Sequence, residues 1–352
     1  MQKIYEKAMK KCMKLALRAK GKNYPNPMVG AVLIDENGEE ISCGYHKKAG
    51  DFHAEVNCIS NAPKNTDFSK TTLIVNLEPC SHFGKTPPCA DLIIEKGIKK
   101  VVIGLVDPNE KVQGKGIQKL QNAGVEVIYP FMEDECREFN KIFIKNITEK
   151  KPYVAIKTAT TQDGKIATKT GSSKWITGNL ARLEVHKLRA SYKGILTGSN
   201  TVLQDNPSLT VREIKGKNPV RIILDRNFKT NFDYNVYKND NTRVILITKK
   251  KIKAPKNVEI IDFKDFDTLL KDLYKMGIYS LMVEAGGTLN SKLIEAGEVD
   301  FIHHFIAPKI LGDGISFVND FNIKDINNAI KLETEEIKIF NDDILINSKF
   351  IK

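Results

Sequence analysis

The sequence predicts two α/β domains in one chain, and three observations carry that prediction. Apolar strand-like runs alternate with helix-period segments along the whole length. A polar helical stretch ending in Ile147-Thr-Glu-Lys-Lys-Pro152 interrupts the alternation. At 352 residues the chain is long for one domain and comfortable for two. We therefore expect domains over residues 1–149 and 150–352, with the seam inside 132–151.

The elements follow in order. Ile4, Ala8, Cys12, Leu15 and Ala19 recur at helical spacing. That opening segment has no continuous apolar run and no cleavage site, so it reads as a folded helix rather than a signal peptide. A breaker-rich loop from Gly21 to Pro27 precedes an apolar strand at Met28–Ile34. The turn signal Asp35-Glu-Asn-Gly38 joins it to a strand at Ile41–Tyr45. His53 starts a helix, Thr72–Leu77 is a buried-type strand, and Cys89 begins a helix ending at Gly97. Val101–Val106, a helix through Leu120, and Val125–Tyr129 complete the first half.

The second half starts with a strand at Tyr153 and a helix at 178–192, then strands at 194–198, 219–225 and 244–248. A helix at 265–276 and a strand at 280–285 lead into a helix at 288–296, with Thr288 as its N-cap. An apolar strand from Phe301 to Leu311 and closing strands finish the chain. Such alternation implies open sheets with helices on both faces.

Composition narrows the function classes. Hydrophobic content of 41% and charged content of 28% are ordinary for a globular protein. No apolar run reaches bilayer length, so no membrane partner is expected. Six cysteines at 12, 43, 58, 80, 89 and 136, with no Cys-x-x-Cys, argue against a disulfide framework and for a reducing cytoplasm. The net charge of +12 comes mainly from scattered Lys, without an Arg-rich stripe interleaved with aromatics. That pattern favours a compositional bias, or attraction for a phosphorylated small molecule, over nucleic-acid binding.

His53-Ala-Glu55, then Pro79-Cys80 directly after a strand, then Cys89, form the parts list of a catalytic zinc site. One imidazole and two thiolates leave a fourth tetrahedral position for water. The metal acidifies that water, and Glu55, not itself a ligand, can carry its proton. Both ligand segments begin helices after loops at strand ends, where open sheets place their ligands. Helix N-termini there favour thiolate over thiol. Cys12 and Cys58 on apolar helix faces, Cys43 in a strand and Cys136 on a polar helix read as structural.

In the second half, Tyr279–Asn290 reads as a strand, a Gly286-Gly287 turn and a helix start. Such a turn lets backbone N–H groups approach a phosphate, or is simply a turn. It is not Gly-x-Gly-x-x-Gly, so a Rossmann fold is not supported. The charge and the His-Ala-Glu site leave two further readings open: an RNA-editing deaminase with an accessory domain, and a non-catalytic, zinc-stabilised nucleic-acid-binding protein.

A resemblance narrows these. Asn26-Pro-Met-Val-Gly30, Gly44-Tyr-His46, His53-Ala-Glu55, Leu77–Cys89 and Asp107-Pro-Asn109 resemble, in order, the bifunctional riboflavin-biosynthesis deaminase/reductase family. The usual deaminase has its second Cys three positions after the first. Here it is nine positions on, across Ser81-His-Phe-Gly-Lys-Thr-Pro-Pro88, and that long loop is the most specific element of the likeness. Lys157–Ala167, Ser173-Lys-Trp175, Leu188-Arg189-Ala190 and Thr197–Arg212 look like the reductase half of the same family.

The resemblance implies a cytidine-deaminase-like α/β/α domain followed by a dihydrofolate-reductase-like α/β domain. It implies His53, Cys80 and Cys89 as ligands of one Zn²⁺ and Glu55 as the proton carrier. Asn26, His46, Ser81, His82 and Lys85 would contact a pyrimidine ribosyl-phosphate, with Lys85 as a flexible charge for the 5′-phosphate. The family's Asp-Pro-Asn-Pro reads Asp107-Pro-Asn-Glu110 here, which loosens the case for Asn109 as a contact.

In the reductase half, Ala159, Trp175, Thr201, Asp205 and the turn Gly286, Gly287, Thr288, Leu289, Asn290, Ser291 and Lys292 would hold NADPH. Lys157, Ser173, Arg189, Leu209, Arg212 and Glu284 would hold substrate, with the two arginines suited to its phosphate. His186, His303 and His304 read as structural. The implied function is deamination of 2,5-diamino-6-ribosylamino-4(3H)-pyrimidinone 5′-phosphate, then reduction of the ribosyl group to ribityl. The preference for NADPH over NADH rests on the resemblance alone. A cytoplasmic homo-oligomer acting on a small molecule, with no nucleic-acid partner, is expected.

Overall fold

A computed structural model describes residues 1–83, 87–110, 112–319 and 321–351. The chain divides into two compact units, Met1–Lys150 and Lys151–Lys352.

The first unit runs α1 (Gln2–Ala16), β1 (Gly30–Ile34), β2 (Glu40–Tyr45), α2 (Ala54–Ser60), β3 (Thr72–Val75) and α3 (Cys89–Glu95). It continues with β4 (Lys100–Ile103), α4 (Lys115–Asn122), β5 (Glu126–Ile128), α5 (Glu133–Phe139) and α6 (Lys141–Glu149). The sheet order is β2-β1-β3-β4-β5, with β1 antiparallel to both neighbours and β3, β4 and β5 parallel. Every residue of β1 and β3 is buried, which is why both strands read as unbroken apolar runs. Helix α1 lays Tyr5, Ala8, Met9, Cys12 and Leu15 onto this core.

The second unit runs β6 (Tyr153–Thr161), β7 (Lys165–Thr168), α7 (Asn179–Ser191), β8 (Gly194–Gly198), α8 (Ser199–Asp205), β9 (Val220–Leu224), β10 (Val244–Ile247) and β11 (Val258–Ile261). Then follow α9 (Phe266–Lys275), β12 (Ser280–Val283), α10 (Gly287–Glu295), β13 (Phe301–Ala307), β14 (Gly314–Ser316), β15 (Leu332–Phe340) and β16 (Asp343–Phe350). Its main sheet is ordered β11-β10-β9-β8-β12-β6-β13-β16-β15. The strands from β11 to β13 are parallel, and β16 and β15 close the sheet as an antiparallel hairpin.

Two sequence expectations need correction. Thr288 does not cap α10: the helix starts one residue earlier, Gly286 takes the N-cap position without a side-chain bond, and Thr288 is exposed. The strand expected to reach Leu311 stops at Ala307, before Pro308, which has no N–H for the ladder. The ribbon of β7 with β14 and the short α8 were not anticipated.

Candidate active sites

Helix α2 carries half of the first site. It packs so closely on β2 that a Cβ on Gly44 would lie 2.3 Å from the Cys58 nitrogen, so only glycine fits. That contact places His53, at the N-cap of α2, and Glu55, in its first turn, beside the loop leaving β3. Cys89 opens α3, and its backbone N–H donates to the Cys80 sulfur at 3.4 Å.

His53 Nδ1 lies 3.5 Å from Cys80 Sγ and 3.3 Å from Cys89 Sγ, and one donor atom from each of the three residues lies within 4.8 Å of the others. One nitrogen and two sulfurs at this spacing suit zinc and leave room for a further ligand. The hydrogen bond from the Cys89 thiol, with help from His53, brings Cys80 down to about 4, while Cys89 is pushed up by its bond to Cys80. Both effects favour the thiolate at Cys80 over Cys89. Burial pushes the Glu55 carboxyl up to about 7, a rise that His53 partly offsets. A carboxyl at that level both accepts and returns a proton near neutrality.

His46 is buried with its ring edge-on to His53, centroids 5.5 Å apart. Its Nδ1 lies 3.1 Å from the Phe52 carbonyl, which only accepts, so Nδ1 carries the hydrogen and Nε2 accepts from Asn26 Nδ2 at 3.0 Å. Ser81 is half-buried and His82 exposed, and Asn109 is half-buried with its N–H on Asp107 at 2.8 Å. Lys85 lies outside the described residues.

Glu78 lies inside the Leu77–Cys89 run, and nothing in its sequence surroundings marks its role. Its buried carboxylate accepts the N–H groups of Asp107, Gly114, Gly116 and Ile117, tying the start of α4 to the Cys80 loop. A run of backbone donors is invisible in sequence until α4 is known to start opposite Pro79.

The second site gathers at the C-terminal ends of the adjacent strands β8 and β12, with Lys157 midway along neighbouring β6. Glu284, just past β12, is buried and receives Arg189 Nε at 2.7 Å, Arg189 Nη2 at 2.9 Å and Lys157 Nζ at 3.1 Å. Burial pushes its carboxyl up, but the two cations outweigh that and hold it well below the usual carboxylate range. Arg189 also gives Nη1 to the Thr210 carbonyl at 3.3 Å. Much of its guanidinium is thus already bonded within the protein, whereas Arg212 is exposed. Leu209 buries its side chain in the core and adopts φ 50, a left-handed conformation costly for leucine.

Around α10, Thr288 and Lys292 are exposed, Gly286 is half-buried, and Gly287, Leu289, Asn290 and Ser291 are buried. A Cβ on Gly287 would lie 2.7 Å from the Ser316 carbonyl. Asn290 Nδ2 donates to the Phe317 carbonyl at 3.0 Å, and Ser291 Oγ accepts the Asn319 N–H at 2.7 Å. These two side chains tie down residues 317–319. Buried Asn290 Oδ1 keeps no partner among the described residues. Helix α10 has no side-chain cap, so backbone N–H groups at its start could meet a phosphate. Ala159 and Ser173 are half-buried, as are Thr201 and Asp205 in α8. Trp175 is 63% exposed, with the Arg182 guanidinium 4.7 Å from its ring centroid. His186, His303 and His304 each bond inside the fold, to Arg212 N–H, Asn347 and Thr160 respectively.

Residues 2–105 match the family described as "Cytidine and deoxycytidylate deaminase zinc-binding region", and residues 152–346 match "RibD C-terminal domain". The chain is 42% identical to the riboflavin biosynthesis protein RibD of Aquifex aeolicus, covering 98% of each. It is 34% identical to that of Escherichia coli, covering 96% of this chain and 97% of the other. Among solved structures, a diaminohydroxyphosphoribosylaminopyrimidine deaminase/5-amino-6-(5-phosphoribosylamino)uracil reductase from Thermotoga maritima superposes with TM-score 0.89, at 39% identity and 99% coverage of both chains. RibD of Acinetobacter baumannii gives TM-score 0.89 at 33% identity, with 100% of both chains covered.

Proposed function

The chain belongs to the RibD family of bifunctional riboflavin-biosynthesis deaminase/reductases, and from that premise we propose how its own residues divide the two reactions. The first unit deaminates the pyrimidine ribosyl-phosphate and the second reduces its ribosyl group with NADPH. The observation that carries the reading is one imidazole nitrogen and two cysteine sulfurs within 4.8 Å, with buried Glu55 two residues along from His53.

His53, Cys80 and Cys89 would hold zinc, which when bound supplies the Lewis acidity that brings water near neutral pKa. Glu55 would take the proton from the attacking water and return it to the leaving nitrogen. The C2–NH₂ bond breaks, a C2=O bond forms, and ammonia departs. Asn26, His46, Ser81, His82 and Lys85 would hold the substrate during that exchange.

In the second unit, NADPH supplies the hydride that opens the ribose at C1′. The residues from Gly286 to Lys292, with Ala159, Trp175, Thr201 and Asp205, would bind it. Lys157, Ser173, Arg189, Leu209, Arg212 and Glu284 would orient the ribosyl-phosphate. Because Glu284 neutralises one of two adjacent cations, Lys157 and Arg189 keep a net positive field toward a dianionic phosphate. No helix among the described residues is long and apolar enough to cross a membrane. We read the enzyme as a cytoplasmic homo-oligomer.

The test uses one purified chain given the diaminopyrimidine phosphate and NADPH. The expected result is ammonia release followed by NADPH oxidation, with oxidation absent until deamination has occurred. Ammonia released from a tRNA but not from the pyrimidine phosphate would contradict the reading.

A further inference from the structure

Asn26 sits in the loop Tyr24-Pro25-Asn26-Pro27, where two prolines have no N–H to donate, so something else must fix the loop. Asn23 does so from one side: its Nδ2 donates to the Asn26 carbonyl at 2.7 Å and its carbonyl accepts the Asn26 N–H at 2.8 Å. On the other side, every polar backbone group of Met28 is taken by asparagine side chains. The Met28 N–H donates to Asn140 Oδ1 at 2.9 Å, and its carbonyl accepts from Asn140 Nδ2 at 3.1 Å and Asn76 Nδ2 at 3.0 Å. Asn76 Oδ1 also takes the Gly30 N–H at 2.8 Å.

Asn76 follows β3 and stands four residues before Cys80. Asn140 comes from elsewhere. It joins α5 to α6, beyond residues 2–105 of the deaminase match and before residues 152–346 of the reductase match. An asparagine at a helix N-cap ordinarily bonds its own helix. Asn140 holds that position in α6 but makes no such bond, and gives both ends of its amide to Met28. It is 2% exposed, and truncation would leave the Met28 N–H without its partner and the Met28 carbonyl held by Asn76 alone. One turn earlier, Cys136 seats α5 against Gly104, where an added Cβ would lie 2.5 Å from its sulfur.

We propose that Asn140 is a positioning residue for deamination. By clamping Met28 it sets Asn26, and through the 3.0 Å bond from Asn26 to His46 it sets the wall on which the pyrimidine ring docks. The connecting segment between the two catalytic stretches thus completes the first site. The inference rests on the reading that Asn26 contacts substrate.

The experiment compares steady-state deamination and reduction, each on its own supplied substrate, with thermal midpoints, in Asn140→Ala, Asn140→Asp, Asn26→Ala, the Asn26→Ala/Asn140→Ala double variant and Cys136→Ala. Both Asn140 variants should raise the deaminase KM by about tenfold with a smaller change in kcat, and leave reductase kinetics unchanged. The double variant should be no worse than Asn26→Ala, because both act through one loop. Cys136→Ala should lower the thermal midpoint without moving KM. Asn140→Asp keeps the side-chain volume and carries the test if the alanine variant does not fold.

An unchanged KM in the Asn140 variants beside an impaired Asn26→Ala overturns the inference alone. So does an additive double variant, or a Cys136→Ala variant that raises KM as much. An Asn26→Ala variant that deaminates normally contradicts the reading of the site and removes the inference with it.

Discussion

Buried Glu284 and half-buried Arg189 and Lys157 form a group of one anion and two cations, and their arrangement yields a stability prediction. Replacing Glu284 with Gln leaves two half-buried cations without their counter-ion, at a cost of at most about 3–5 kcal/mol. Urea unfolding of Glu284→Gln should show that loss together with lost reduction. A second residue, His304, carries a pH prediction: burial lowers its imidazole to about 4. A histidine depressed when folded is neutral there and charged when unfolded. Its contribution is therefore present above the ordinary value near 6.5 and lost as pH falls toward 4. The wild-type midpoint should fall over that window by the equivalent of at most about 3 kcal/mol, and His304→Gln should flatten the fall. Reading His304 as structural was possible in sequence because it lacked any partner pattern. The Glu284 ion group was not legible, since its members come from β6, α7 and the end of β12.

At the scale of elements, α4 is held against the Cys80 loop by contact as well as by Glu78. A Cβ on Gly116 would lie 2.0 Å from the Pro79 carbonyl, one residue before a zinc ligand candidate. Gly116→Ala should push α4 away, costing about 1–3 kcal/mol, and should release zinc faster to a chelator, read by metal content after dialysis. Retained metal and stability would show that the loop yields freely. The sheets themselves were legible because strands buried on both faces must be continuous apolar runs, as in Gly30–Ile34 and Val244–Ile247. The ribbon of Lys165–Thr168 with Gly314–Ser316 was not, because strands of four and three residues carry too little periodicity. Thr288 misled for a local reason: a threonine after two glycines looks like a cap, yet Gly286 takes that position with backbone alone.

The whole molecule joins two separately built sites on one chain. The zinc parts list was legible because its residue types are rare together. Their order along the chain, with the long interval between Cys80 and Cys89, pointed to a family that covers the full length. What sequence could not supply was the supporting shell of Asn76, Asn140 and Glu78, whose roles depend on backbone atoms up to 112 residues away. The scattered charge of +12 is compatible with anionic phosphates in both reactions.

The central claim is that Glu55 moves the proton in a zinc deaminase whose reductase works independently. It is tested most directly by Glu55→Gln in the full chain, with three readouts: ammonia release, zinc content, and NADPH oxidation on supplied deaminated substrate. The account predicts deamination reduced by about a hundredfold or more, zinc retained and reduction preserved. Deamination at the wild-type rate in that variant would contradict it.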